Sequence, residues 1–156
     1  MSGKSIVLRP AAADDVAQIG ELERVSFTTD RLSRRSIRRL VASPSAFVLV
    51  AAGTSRIVSV LILLFRRGAG ICRLYSLAVD PAHRNHGLGG EMLRHAEGQA
   101  LRQGARAMRF EVRGDNRRAL NFYEQRGFRR CGLTAGYYED GETAIRYEKP
   151  LGGATA

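Results

Sequence analysis

Apolar residues recur along this chain at two distinct spacings. Val16, Ile19 and Leu22 fall three apart, as do Ile37 and Leu40 with Val41 beside them, and Met92, Leu93, Ala96 and Ala100 repeat the pattern on a longer segment. That spacing puts them on one face of a helix. Asp14 or Asp15 stands ahead of the first helix and Ser33 ahead of the second, each with a side-chain oxygen able to cap free N–H groups. The other spacing belongs to strands. A short strand at 6–9 stops at Pro10. The runs 46–52 and 56–65 flank Gly53-Thr54 and read as an antiparallel hairpin. Residues 71–79 are apolar at nearly every position, which predicts a strand covered on both faces and ended by Asp80-Pro81.

A helix over 89–103 follows, with Gly104 as its C-terminal cap, and then a strand at 107–112. Strand, helix and strand in that order predict a parallel pair joined by a right-handed crossover. A further helix over 116–126 ends at Gly127. Two closing strands flank the Asp140-Gly141 turn. The predicted order is βααβββαβαββ: an α/β fold with a mixed, mainly antiparallel sheet whose central parallel pair is 71–79 and 107–112.

The chain has 156 residues, 44% hydrophobic and 26% charged, which suits one soluble domain over 1–150 with a disordered tail at 151–156. The longest apolar run, 57–65, is broken by Ser59 and is too short to span a bilayer, which takes about 20 residues. Residues 1–10 lack a signal-peptide core. Cys72 and Cys131 match neither a redox pair nor a zinc spacing, so both are expected to be buried structural thiols in a cytoplasmic protein that makes no membrane contact. His83, His86 and His95 have no carboxylates in pattern, and no metal site is predicted.

The net charge of +10 points to anionic partners, such as a phosphorylated cofactor, RNA or an acidic protein. It disfavours long-range attraction of a polycationic substrate. Arg31, Arg34, Arg35, Arg38 and Arg39 crowd one segment, either as a solvated helix face or as a docking patch for ribosomal RNA, a ribosomal protein or another acidic surface. No aromatic residues interleave them, which weakens a single-strand-binding reading.

The chemistry-bearing residues lie around the crossover. Arg84-Asn85-His86-Gly87-Leu88-Gly89-Gly90 joins a strand to a helix, where backbone N–H groups and a helix N-terminus can cradle phosphate. A dinucleotide fingerprint would need glycine where Met92 stands, and no Lys-Ser/Thr follows to make a P-loop. In the alternating strand 107–112, Glu111 faces away from Met108, Phe110 and Val112. It is read as a surface carboxylate paired with arginine or as a base. Tyr123 is read as a core tyrosine or as a proton donor, and Tyr137, Tyr138, Glu139, Asp140 and Glu142 as a solvated hairpin tip or an acceptor lip.

Leu77-Ala78-Val79-Asp80-Pro81 with Arg84-x-x-Gly87-x-Gly89, followed by Glu111-Val112-Arg113, Asn116, Ala119, Tyr123-Glu124 and Gly127-Phe128, resembles the two linked signature blocks of the GCN5-related N-acetyltransferase (GNAT) family. The likeness covers roughly residues 5–150. It extends to Tyr137-Tyr138 for the branch acting on the N-terminal alanine of a ribosomal protein. The resemblance implies a GNAT-type fold and transfer of acetyl from acetyl-coenzyme A to a primary amine; because neither Cys72 nor Cys131 has a sequence partner that would mark an activated thiolate, direct attack is favoured over an acetyl-enzyme intermediate. The acceptor would be a protein N-terminus or a small-molecule amine, with a non-catalytic coenzyme A sensor or an RNA-binding module as rival readings.

Carried over by position, Leu77, Ala78 and Val79 would hold the pantetheine arm through backbone groups. Arg84, Asn85, His86, Gly87, Leu88, Gly89 and Gly90 would surround the pyrophosphate. Asn116 and Tyr123 would border the cofactor, Glu111 would be the general base, Tyr123 the general acid, and Tyr137 and Tyr138 would meet the acceptor. Asn85 and His86 depart from the arginine or glycine common in that loop, which removes some side-chain charge from the phosphate site.

Overall fold

A computed structural model describes residues 5–27 and 32–152. Arg31 and the tail residues 153–156 lie outside the described residues. The strands are β1 (Val7–Pro10), β2 (Ala46–Ala52), β3 (Ile57–Phe65), β4 (Ile71–Val79), β5 (Ala107–Arg113), β6 (Arg129–Thr134) and β7 (Ala144–Pro150). The helices are α1 (Val16–Ser26), α2 (Arg34–Ala42), α3 (Leu88–Arg102) and α4 (Arg117–Glu124). The predicted order of elements stands, and the strands form one seven-stranded sheet, β1-β2-β3-β4-β5-β7-β6.

Two apolar layers hold the sheet. On one face, Val16, Ile19 and Leu22 of α1 and Ile37 of α2 pack against Val48, Val50, Val60, Ile62 and Ala78. On the other, Met92, Leu93, Ala96 and Ala100 of α3 and Tyr123 of α4 cover Leu61, Leu63, Cys72, Leu74, Met108 and Phe110. Ser33 caps α2 as predicted, its Oγ accepting from Ser36 N–H at 3.1 Å. Asp15 precedes α1 without capping it. Its carboxylate turns back to accept from Ala12 N–H at 2.7 Å and from Arg9, because a single turn of 3-10 helix, Ala13–Asp15, intervenes. At the other terminus, Leu151 is buried and its N–H bonds to Arg106 C=O, so the ordered chain runs past 150.

The parallel pair is brief. β4 and β5 meet only at Ile71–Ala107, Cys72–Met108 and Arg73–Arg109. β4 stays paired with β3 throughout, but Leu63 faces Leu74 while Ile62 faces Ser76, so Tyr75 is an extra residue without a partner. A bulge bends its strand and sharpens the local twist. Here it falls just past the last β4–β5 pair, and the two strands diverge into a fork. The first half of β4 also departs from the both-faces-covered expectation: Arg73 and Tyr75 are exposed, because α1 and α2 cover only the β1–β4 side of the sheet.

Candidate active site at the fork

From Leu74 onward, no described strand pairs with the β5-facing edge of β4. Leu77, Ala78 and Val79 lie on this stretch, held from behind by Leu61, Val60 and Ser59 of β3. The fork therefore presents an open backbone edge to an extended ligand, as a pantetheine arm requires. At its wide end, Asp80 Oδ1 accepts from Ala82 N–H, and the chain turns into the loop before α3.

That loop has the shape of an anion cradle. Asn85 at φ 66° and Gly87 at φ 83° are both left-handed, a conformation asparagine tolerates and glycine adopts without strain. Gly87 is the residue before α3, so the free N–H groups of Leu88, Gly89 and Gly90 open the helix. A Cβ on Gly89 would lie 3.3 Å from the Phe122 ring, a tight contact that the ring would have to give way to where α4 packs near α3. Arg84 is partly committed elsewhere, its Nε donating to Val79 C=O at 3.1 Å. Arg118 of α4 reaches Asn85 Oδ1 at 3.4 Å and returns a guanidinium to the loop where the sequence lacks one. His86 is exposed. Asn116 spends its Oδ1 capping α4 at Ala119 N–H. These residues fit a diphosphate-bearing thioester.

Glu111 and Tyr123 flank the fork from opposite sides. Tyr123 is buried in an aromatic cluster, its ring 4.2 Å from Phe110, the first β5 residue beyond the paired stretch, and 5.6 Å from Phe128. Burial pushes its phenol well above the usual tyrosine range, so the hydroxyl keeps its proton. Glu111 sits on the other face. Its side chain is 14% exposed between two half-exposed guanidiniums, Arg73 Nη2 at 2.8 Å from Oε1 and Arg146 Nε at 3.4 Å from Oε2. The Arg73 contact is off the hydrogen-bond axis. Oε1 is buried and accepts no aligned hydrogen bond among the described residues.

The hairpin tip comes to the same strand. Arg113 lies over the Tyr138 ring at 4.9 Å and pairs with Asp140, while Tyr137 stacks edge-on against Tyr138 and stays exposed. The α2 arginines 34, 35, 38 and 39 are exposed, and no described carboxylate forms an ion pair with them.

Glu23 was not singled out by the sequence as a site residue. It occupies an apolar-stripe position beside Leu22 and is almost fully buried, accepting from Ser76 Oγ at 2.7 Å and from Leu32 N–H at 3.4 Å. Burial raises its carboxyl above the ordinary range. A charged residue in an apolar stripe was the available signal. Arg73 and Arg146 carried no signal, because only the register brings them to Glu111. Cys72 is buried, its thiol pushed up to about 11, whereas Cys131 is exposed, contrary to expectation, because β6 is an edge strand with no helix over that position.

The model of the acetyltransferase (GNAT) family matches residues 16–128. The chain belongs to the GNAT acetyltransferase family. It is 30% identical over 141 residues to an uncharacterised N-acetyltransferase of Methanocaldococcus jannaschii, covering 90% of this chain and 88% of that one. It is also 35% identical over 81 residues to the [ribosomal protein bS18]-alanine N-acetyltransferase of Escherichia coli, a stretch covering 50% of this chain and 55% of the relative. The chain thus spans about half the length of that curated relative. The crystal structure of the ribosomal-protein-S18-alanine N-acetyltransferase from Escherichia coli superposes with a TM-score of 0.84 at 21% identity, over 97% of this chain and 99% of that one, a likeness of fold. Among the described residues no helix is long and apolar enough to cross a membrane, and no group of His, Cys, Asp and Glu could hold a metal.

Proposed function

We propose that this GNAT chain transfers the acetyl group of acetyl-coenzyme A to the N-terminal α-amine of a protein, by direct attack at the fork. The observation that carries the reading is Glu111 Oε1: buried, at the split between β4 and β5, and free of any aligned donor. Oε1 is already ion-paired to Arg73 Nη2 at 2.8 Å, and an amine N–H would supply the aligned hydrogen bond that this contact does not. The relative acting on a ribosomal-protein alanine supports an α-amine acceptor.

An α-amine titrates near 7.7–8.0, against about 10.4 for lysine, so far more of it is neutral at physiological pH. Arg73 and Arg146 favour the neutral amine further by repelling its ammonium form. Glu111 then accepts the proton as nitrogen bonds to the thioester carbonyl. On the opposite face, Tyr123 donates a hydrogen bond to the departing sulfur. A thiol near 8.5 against an unperturbed tyrosine near 10 already makes full proton transfer uphill by about 2 kcal/mol. Burial widens that gap, so Tyr123 stabilises the thiolate rather than surrendering its proton.

The exposed α2 arginines would steer an anionic partner, of which a ribosomal surface is one kind, toward this face of the sheet. Changing Arg34, Arg35, Arg38 and Arg39 to glutamine should lower acceptor kcat/KM and its salt dependence while leaving the KM for acetyl-coenzyme A unchanged. The primary test is free-thiol release from acetyl-coenzyme A with N-terminal peptides, small amines and a blank. Release with Ala- or Ser-initiated peptides, reduced roughly a hundredfold or more in Glu111→Gln, is the expected result. Turnover with small amines alone would reassign the acceptor, and failure to bind acetyl-coenzyme A would overturn the reading.

A further inference from the structure

On the face of the sheet bearing Glu111, one carboxylate lies between two guanidiniums. Of the cross-strand ion pairs there, Arg109 and Glu148 satisfy each other, with Arg109 Nε and Nη2 both on Glu148 Oε1 at 3.1 and 2.8 Å. Arg113 is engaged by Asp115 and Asp140. Glu111 alone is shared by two guanidiniums. Arg73 and Arg146 are 47% and 44% exposed, and each meets Glu111 through one nitrogen. A guanidinium carries five N–H donors in a fork suited to carboxylates. Both arginines therefore keep N–H donors that Glu111 does not occupy, and the Arg73 guanidinium also lies 5.9 Å from the Tyr75 ring.

Resting on the acetyltransferase reading above, we propose that Arg73 and Arg146 select an acceptor bearing a carboxylate next to its reacting amine. The amine nitrogen takes Glu111 Oε1, and a carboxylate no more than about 8 Å from it bridges to the free edges of Arg73 and Arg146, a span within reach of one or two residues. An acidic side chain at the first or second position of a peptide has that geometry, and so does the α-carboxylate of a free amino acid. Lysine or arginine at the same position would meet two like charges. The exposed α2 arginines on the same side of the sheet add a long-range field of the same sign.

The test compares kcat/KM for three peptides identical after their second residue, beginning Ala-Glu, Ala-Gln and Ala-Lys, with free alanine and free glutamate as separate arms. At low salt, Ala-Glu should exceed Ala-Gln by about three- to tenfold, the range for one or two half-exposed ion pairs, and Ala-Lys should be the poorest. In Arg146→Gln and Arg73→Gln the Ala-Glu to Ala-Gln ratio should fall toward one, whatever happens to the absolute rate, and 0.5 M salt should do the same to the parent. Preference for the free amino acids would locate the carboxylate on the α-carbon. Turnover with equal or greater rates for Ala-Lys, or a ratio unchanged in both variants, would overturn the selection while leaving the acetyltransferase reading intact. No thiol release with any acceptor would remove both.

Discussion

Glu111 and Tyr123 lie on opposite faces of β5 at the same split in the sheet, the carboxylate between Arg73 and Arg146 and the phenol ring 4.2 Å from Phe110. Under the proposed mechanism the division would separate acceptor deprotonation from thiolate support. It predicts that Tyr123→Phe keeps its packing and melts within a few degrees of the parent, yet loses about ten- to hundredfold in kcat, the worth of one hydrogen bond to a charged group. Because burial keeps the hydroxyl protonated, kcat should show no alkaline decline from Tyr123 up to about pH 10. A decline near that pH in the parent that disappears in Tyr123→Phe would contradict the assignment.

Gly87 holds φ 83° with nothing near the position a Cβ would take. Gly87→Ala should therefore act through the backbone alone, costing roughly 1–2 kcal/mol. The relaxed loop should raise the KM for acetyl-coenzyme A more than it alters kcat. Asparagine, which tolerates this conformation, should restore part of both. Melting curves and initial rates on Gly87→Ala and Gly87→Asn decide it.

Glu23 is buried with its carboxyl raised, so folding favours its protonated form. Below its unfolded value, about 4.3, the group is protonated in both states and carries no charge-burial cost. As the pH rises through the folded value, stability is lost. Glu23→Gln keeps partners for Ser76 and Leu32 but carries no charge. It should melt above the parent at pH 7, and the difference should shrink toward zero near pH 4. A difference independent of pH would exclude charge burial as its source.

Cys72 is buried and its thiol pushed up to about 11, whereas Cys131 is exposed. One thiol per chain should react with iodoacetamide in the native state and two after unfolding. Blocking the native-reactive thiol should leave turnover in place, as direct attack requires. Loss of acetyl transfer together with recovery of an acetylated cysteine would establish a covalent route instead.

The element order was legible because local signals set it: apolar spacings of three and four, alternating strands, Ser33 before α2, Gly104 and Gly127 after helices. The glycine turn before α3 and the side of β5 that carries Glu111 were legible for the same reason, being contiguous or set by strand alternation. Features that depend on register were not. Nothing local marks Tyr75 as the bulged residue, and nothing local joins Arg73, Glu111 and Arg146, which come from three strands. Cys131 was misplaced because a small thiol on an edge strand reads like one in a core. Glu23 was visible as an anomaly in the α1 stripe, but only the structure supplies Ser76 and Leu32 as its partners.

The fork also has a consequence for how the chain is made. β1 to β4 come from residues 7–79 and pair among themselves, while β5 to β7 come from residues 107–150 and do likewise. Only three residue pairs stitch the two groups together. During synthesis from the N-terminus, the first four strands can complete their ladders before any of the last three has left the ribosome. The gap between β4 and β5 in the finished protein is then the seam between an early-formed half and a late one. The sheet's weakest join falls between β4, the last strand of the early half, and β5, the first strand of the late one.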